Sequence, residues 1–467
     1  RAAFDAGDFP AAEARFQDAY AQGRADFETL SYLGYLARRR DDFDTADARY
    51  AAAFELRSGD APTANNLAQG RAGEALALYK RAAALGPDKP EIHANLGSML
   101  LSVHRPDLAL APLLRAVETS PRLAAAHADL GIVLASLNRY DEAVEHYRAI
   151  NAIEPDNNSA RYMEALALLA VGDYENGWRK HEVRWYAALG LGHRAQIAGA
   201  SWLGEADIAG QRLLLHAEQG LGDTIQFARY VPMAAAMGAH VLLMAPKSLE
   251  PILGGIEGVG TFVRYGDPVP PSDAHCSLMS LPRAFRTTLD TVPAAIPYVR
   301  APADRAAAWA ARLGPPDGRR RIAIAWSGSD TVWNRPIPLA RLGPLLARGD
   351  CEFHVAQTEM RDADRAVLDG MPHVADHSRE LADFGDTAGL LSCMDLTITV
   401  DTVLAHLSGA MGRPTWTMLP LGADYRWLTD RTDSPWYPGM RLFRQPALLD
   451  WDSVVADIGR ALDAWAA

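Results

Sequence analysis

The feature that most constrains this chain is a repeat. Ala12, Ala46, Ala75, Ala109, Ala143 and Gly177 follow one another at intervals of 34, 29, 34, 34 and 34 residues. A period of that length means stacked helical hairpins, because each hairpin can bury its apolar face only against its neighbours. "YLG", "NLG" and "DLG" end at Gly34, Gly97 and Gly131, small positions where paired helices approach closely. Pro87, Pro121 and Pro155, again 34 apart, fall where one helix must stop and the next begin. Tyr50, Tyr79 and Tyr147 share one repeat position and read as repeat core. The 29-residue interval runs "NNLA" almost straight into "QGRAGEA". It implies residues absent between Ala68 and Gln69, or a true deletion there.

After about residue 200 the pattern changes to short apolar runs alternating with amphipathic stretches, the signature of parallel-sheet domains. "RLLLH" (212–216) and "HVLLMAP" (240–246) predict strands flanking a helix over 224–238. "RIAIAWSG" (321–328), "CEFHVAQ" (351–357), "DLTITV" (395–400) and "PTWTMLP" (414–420) predict a second set, separated from the first by "LGPPDGRRR" (313–321). Residues 450–467 predict a closing helix with a packing role. The last repeat-like stretch, 172–190, is rich in Trp and charge and reads as a cap on the solenoid.

The 467 residues exceed one ordinary core. A formal charge of −12 argues against a broad nucleic-acid surface, and the sequence holds no apolar run long enough to span a bilayer. Cys276, Cys351 and Cys393 lie far apart without metal-ligand spacing, which fits a reducing, cytoplasmic setting. The chain begins at Arg1 inside a helical pattern, so the native N-terminus is expected to lie further upstream, and any signal peptide with it.

Two loops carry the chemistry. In "HAEQGLGDTIQFARYV" (216–231), Gly220 and Gly222 let the backbone turn sharply and approach a neighbour. Asp223 is either the N-cap of a helix starting at Thr224 or a free carboxylate, and His216 at the strand end is a second candidate base. In "DLTITVDTVLAHLSGAMGRPTW" (395–416), Asp401 is placed to cap the next helix, whose first N–H groups suit an anion. His406 lies four residues after Thr402, on the same helix face. Taken alone, this is equally a capped helix with a core histidine. The "DAD" at 362–364 reads as a solvated helix face rather than a metal site. A dinucleotide fingerprint is excluded because Ile225 occupies the third glycine position.

The stretches "AGEALALYKRAAALGPD" (72–88) and "RYDEAVEHYRAINAIEPD" (139–156) resemble the tetratricopeptide repeat. Residues 383–416 and 219–232 resemble the two substrate loops of heptosyltransferase-like glycosyltransferases. With "SWLGE", "SLP" (280–282), "WSG" (326–328) and "DSPWYPGMRLFRQ" (433–445), the chain resembles bacterial tetratricopeptide-repeat glycosyltransferases, a group that includes flagellin glycosyltransferases.

The resemblance implies a repeat α-solenoid over 1–188, followed by a GT-B fold of two Rossmann-like halves. The acceptor-side half would cover 189–312 and the nucleotide-sugar half 313–467. It implies an inverting, metal-independent sugar transfer with no cofactor beyond the nucleotide-sugar substrate. The acceptor would be a protein held by the repeats, flagellin in the nearest group. Asp223 carries over as the base, with His216 as its alternative. Asp401, Thr402 and His406 carry over as donor-binding residues, joined by Gly220, Gly222 and Ser327. Arg335 would neutralise the leaving phosphate, and Gln357 stands where those enzymes often have an acid. Arg426, Trp427, Ser434 and Trp436 lie in a turn-rich stretch placed to contact sugar or base, or simply to pack. The competing expectation is a non-catalytic repeat adaptor carrying a relic of that fold.

Overall fold

The computed structural model describes residues 4, 8–40, 42–57, 63, 75–187, 197, 199–328 and 333–466. The junction at Ala68 and Gln69 lies outside them, as does the 188/189 boundary expected from sequence. The chain divides into two compact units, Arg1–Asp156 and Asn157–Ala467.

The first unit is helical throughout its described residues. Its helices are α1 (Phe9–Ala21), α2 (Phe27–Arg38), α3 (Phe43–Leu56), α4 (Ala75–Leu85), α5 (Pro90–Ser102), α6 (Pro106–Thr119), α7 (Ala124–Ser136) and α8 (Tyr140–Ile153). The repeat positions explain the pairing. A Cβ on Gly34 would press on the Tyr50 ring at 3.0 Å, and one on Gly131 would reach Tyr147 at 2.5 Å. Gly97 faces Leu113, the residue that takes the tyrosine's place in that repeat. Tyr50, Tyr79 and Tyr147 are buried, as are Ala12, Ala46, Ala109 and Ala143. Pro87 and Pro121 lie in the inter-repeat turns, and their carbonyls accept bonds from His93 and His127 at 3.0 and 3.1 Å. Gly131→Ala is therefore expected to destabilise this unit by about 1–3 kcal/mol through overpacking against Tyr147, read by chemical denaturation.

The second unit opens with one more hairpin, α9 (Asn158–Ala170) and α10 (Tyr174–His181), and a 3-10 turn over Glu182–Tyr186. Two parallel sheets follow. The first contains β1 (Ala200–Ser201), β2 (Arg212–His216), β3 (His240–Ala245), β4 (Val259–Arg264) and β5 (Ala274–Ser277), in the order β1-β5-β2-β3-β4. The second contains β6 (Arg320–Ala325), β7 (Cys351–Val355), β8 (Ala375–Asp376), β9 (Leu396–Val400), β10 (Thr415–Leu419) and β11 (Met440–Arg444), in the order β11-β10-β9-β6-β7-β8. Strands β9 and β10 are buried at every position, as expected of parallel strands covered on both faces. The helices that matter for the site are α11 (Leu221–Phe227), α12 (Phe384–Ser392), α13 (Val403–Ala410) and α14 (Trp451–Ala466). Trp451, Val454, Ile458 and Leu462 of α14 enter the core of the second sheet, the packing role expected of it.

The structure corrects the sequence reading at four places. The helix expected over 224–238 starts at Leu221 and breaks into a 3-10 turn over Ala228–Tyr230 before resuming at Val231. Asp223 is thus the third residue of α11, and its carboxylate reaches back to the N–H of the capping residue Gly220 at 2.9 Å. Thr402, not Asp401, caps α13, since its hydroxyl accepts from Leu404 N–H at 3.3 Å while Asp401 stands one residue earlier. Asp364 of the "DAD" run is buried, accepting from Leu339 N–H at 2.8 Å and pairing with Arg361, because Arg361 and the 338–339 loop fold over it. Strands β1, β4, β5, β8 and β11 were beyond the expected set. β1 and β8 have only two residues each, and β4 exposes five of its six positions at least partly, so none of the three offers a continuous apolar run.

Candidate functional site

A cleft of about 730 Å³ lies between the carboxyl ends of the two sheets, within the second unit. That is where open parallel sheets place their ligands, because the loops leaving the strands are free to diverge there. On one side stands the loop after β2 with Gly220, Gly222 and Asp223; on the other stand Ser327, Arg335, Gln357, Asp401, Thr402 and His406. Of the residues given catalytic or donor-binding roles in the sequence, His216 alone does not line it; of the turn-rich stretch, Arg426 lines it and Trp427, Ser434 and Trp436 do not.

The two walls touch. A Cβ on Gly222 would meet the His406 ring at 2.7 Å and the Val403 backbone at 3.5 Å, so only glycine permits this approach. Gly328 similarly faces the Thr402 methyl at 2.8 Å. His406 is held from behind: its Nδ1 lies 2.9 Å from the Tyr437 hydroxyl and its ring stacks on Trp427 at 5.4 Å. Burial, reinforced by the Arg426, Arg229 and Arg335 charges, pushes its pKa well below the usual histidine value, so the ring is neutral at physiological pH.

Asp223 bonds across the cleft. Its Oδ2 accepts from Gly220 N–H, and its Oδ1 pairs with the guanidinium of Arg426. Arg426 also donates to Gln226 Oε1 at 2.8 Å and to Asp424 at 2.6 Å, so one side chain bridges the two halves. A second arginine bridges in the opposite direction: Arg229 donates to the Trp436 carbonyl at 2.7 Å. Burial raises the Asp223 pKa, opposed by Arg426, and the neighbouring Asp424 adds to the rise. Asp401 is pushed up to about 6, mainly by burial, with Arg335 at 3.7 Å pulling the other way. Gln357 is a strut as much as a wall. Its Oε1 accepts from Trp326 and Ser327 N–H at 2.8 and 3.2 Å, and its Nε2 donates to Ser327 Oγ and the Glu359 carbonyl at 3.0 Å each.

His216 points elsewhere. The register pairs Leu214 with His275 and His216 with Ser277, and residues two apart share a sheet face. His216 and His275 therefore sit together, ring centroids 5.7 Å apart, in a separate cavity of about 240 Å³. Among the described residues no group of three His, Cys, Asp or Glu side chains could hold a metal, and no helix is long and apolar enough to cross a membrane.

Sequence reasoning named Arg426 as a contact residue but missed its role as a bridge; the partners lie 200 and more residues away and leave no local pattern. It missed Tyr437 behind His406 for the same reason.

Fold and site together define a class: a helical repeat array joined to a two-sheet parallel α/β unit with a cleft at the strand ends. The repeat region matches the tetratricopeptide repeat family over residues 65–124, 100–158 and 128–177. Protein FlbA of Caulobacter vibrioides is 25% identical to this chain over 349 residues, 66% of this chain and 55% of the relative. The chain thus spans about half the length of the curated relative it matches. Among solved structures, YrrB, a tetratricopeptide protein with an unusual peptide-binding site, is 23% identical. It covers 36% of this chain and 92% of its own, with a TM-score of 0.33. PilF of Pseudomonas aeruginosa is 16% identical and covers 40% of this chain and 88% of its own, with a TM-score of 0.37.

Proposed function

We propose that the second unit is a GT-B glycosyltransferase that moves a sugar from a nucleotide-sugar donor to a protein acceptor held by the repeats. The observation that carries this reading is the meeting of the Gly222 loop with Thr402 and His406 in one cleft, the two stretches that resemble glycosyltransferase substrate loops. The acceptor's hydroxyl or amide attacks the anomeric carbon as the bond from that carbon to the nucleotide's phosphate oxygen breaks. The proton leaves to Asp223, whose buried carboxylate is more basic than an ordinary aspartate. The departing charge is received by Arg335 and by the N-terminal end of α13, beginning with Val403 N–H. His406, neutral and fixed by Tyr437, offers its remaining ring nitrogen to the sugar or phosphate. The transfer would proceed with inversion and without a metal. The repeats support protein binding on general grounds, since stacked hairpins present extended concave surfaces. The same observation favours an adaptor as the second reading.

The cleft's charge makes a test. Its lining holds five carboxylates, Asp223, Glu359, Asp383, Asp401 and Asp424, against two cations, Arg335 and Arg426. Above about pH 6 Asp401 is ionised and occupies Arg335; below it the carboxyl is neutral and the guanidinium is free for phosphate. Affinity for a nucleoside diphosphate is therefore expected to rise by several-fold to about tenfold as pH falls from 7.5 to 5.5, and Asp401→Asn to flatten the profile at the tighter level. Calorimetric titration across that range reads it. A profile unchanged by Asp401→Asn would remove Asp401 from the donor site, and no nucleotide binding at any pH would favour the adaptor.

A further inference from the structure

The hairpin that ends the repeats is fastened behind both walls of the cleft by residues that the proposed reaction does not use. Arg184, at its C-terminal end, is fully buried. Its guanidinium donates to Glu218 at 2.8 Å, Ser280 Oγ at 2.7 Å, Glu182 at 2.9 Å and the His181 carbonyl at 3.2 Å. Glu218 begins the loop that carries Gly220, Gly222 and Asp223, and Ser280 follows β5, so this arginine fastens the loops leaving two neighbouring strands. The same hairpin reaches the far wall. The Tyr174 hydroxyl accepts from Trp436 Nε1 at 3.1 Å, and the Trp178 ring sits edge-on to Phe227, Tyr425 and Trp436 at 5.8 to 6.4 Å. Phe227 ends α11, whose first turn carries Asp223, while Tyr425 adjoins Arg426.

Burying a guanidinium is costly unless every donor finds a partner, and removing the partner strands the charge. The fourfold engagement of Arg184 therefore holds the 218–223 backbone at one position. That position decides two things already described: whether Gly222 can rest against His406, and whether Asp223 meets Arg426.

We propose that Arg184 is a positioning residue for the glycine loop, and that the last repeat hairpin, 158–186, is a working part of the cleft rather than the end of a binding array. Its mechanistic consequence rests on the glycosyltransferase reading; the positioning itself does not. Glu218 transmits the constraint, and Trp178 sets the same hairpin against both walls.

The test uses the full chain with Arg184→Lys, Arg184→Met, Glu218→Gln and the Arg184→Met/Glu218→Gln double variant. Amide hydrogen exchange over 217–227 reads the loop without any substrate. Exchange there is expected to accelerate by about tenfold or more in Arg184→Met, while β9 and α13 keep their wild-type rates. Arg184→Lys should fall between the two. The double variant should be little worse than either single change, because both remove one interaction. In transfer assays kcat should fall at least about tenfold with KM for the donor changed less than about threefold. Unchanged exchange in the loop would overturn the proposal, as would acceleration spread evenly over 157–467, which would make Arg184 a purely structural anchor. Should Arg184→Met not fold, Arg184→Lys and Glu218→Gln decide between the same outcomes. If wild type transfers no sugar, the glycosyltransferase reading fails while the exchange result still rules on the positioning.

Discussion

Asp223→Asn is expected to lower sugar transfer by about a hundredfold or more while leaving nucleotide affinity within about threefold. The amide can still accept from Gly220 N–H, so the first turn of α11 and the close contact of Gly222 with His406 are kept. It cannot take up a proton, and it no longer neutralises Arg426. The asymmetry between transfer and binding is the informative part. A general base acts only as the acceptor loses its proton, whereas the donor's phosphates are assigned to the opposite wall. A parallel loss of nucleotide binding would mean that the Asp223–Arg426 bridge holds the cleft together and that the base is another group. Asp223→Ala, which also removes the bond to Gly220, is expected to cost more stability than Asp223→Asn; denaturant unfolding separates the two.

The second large effect concerns the repeats. Removing residues 1–156 should abolish modification of a protein acceptor and leave nucleotide binding intact. The cut falls between the two compact units and spares the hairpin 158–186. A cut after residue 188 would remove Arg184, Tyr174 and Trp178 and is expected to expose Glu218 and the aromatic cluster around Trp436 to water. The two truncations should therefore differ: the shorter one loses only acceptor modification, the longer one loses the cleft as well. Mass spectrometry of the acceptor and calorimetry with nucleotide read both. Undiminished acceptor modification without residues 1–156 would take the acceptor away from the repeats.

Much of this was legible in the sequence because it was periodic or continuous. The 34-residue spacing named the buried alanines and tyrosines and the close-packed glycine positions, and the structure shows that Gly34 and Gly131 meet the tyrosine rings. Six apolar runs fell on β2, β3, β6, β7, β9 and β10, since strands covered on both faces need uninterrupted apolar residues. Nine of the ten residues given catalytic or donor-binding roles line one cleft, because loops following parallel strands gather at one end of a sheet. His216 departed from them because its direction is fixed by strand alternation, a one-residue matter that the motif text did not resolve. What stayed hidden was non-local. The reach of Arg426 to Asp223 and Gln226, the hold of Arg184 on Glu218, and the support of His406 by Tyr437 join separate segments, and no spacing rule predicts them. The last hairpin keeps the repeat spacing at Gly177 and falls within the tetratricopeptide match, yet it packs with the second compact unit, a grouping that no spacing rule reveals.

The central claim is tested most directly by incubating the full chain with UDP-, GDP-, ADP- and CMP-sugars in turn, in the presence of bacterial lysate protein or purified flagellin, and weighing the products by mass spectrometry. Wild type should add one sugar mass to a protein acceptor from one donor class. Arg335→Ala and His406→Ala, which strip the donor wall, should reduce that product by about a hundredfold or more. No added mass from any donor, together with no nucleotide binding, would contradict the glycosyltransferase reading and leave a repeat protein whose cleft serves binding alone.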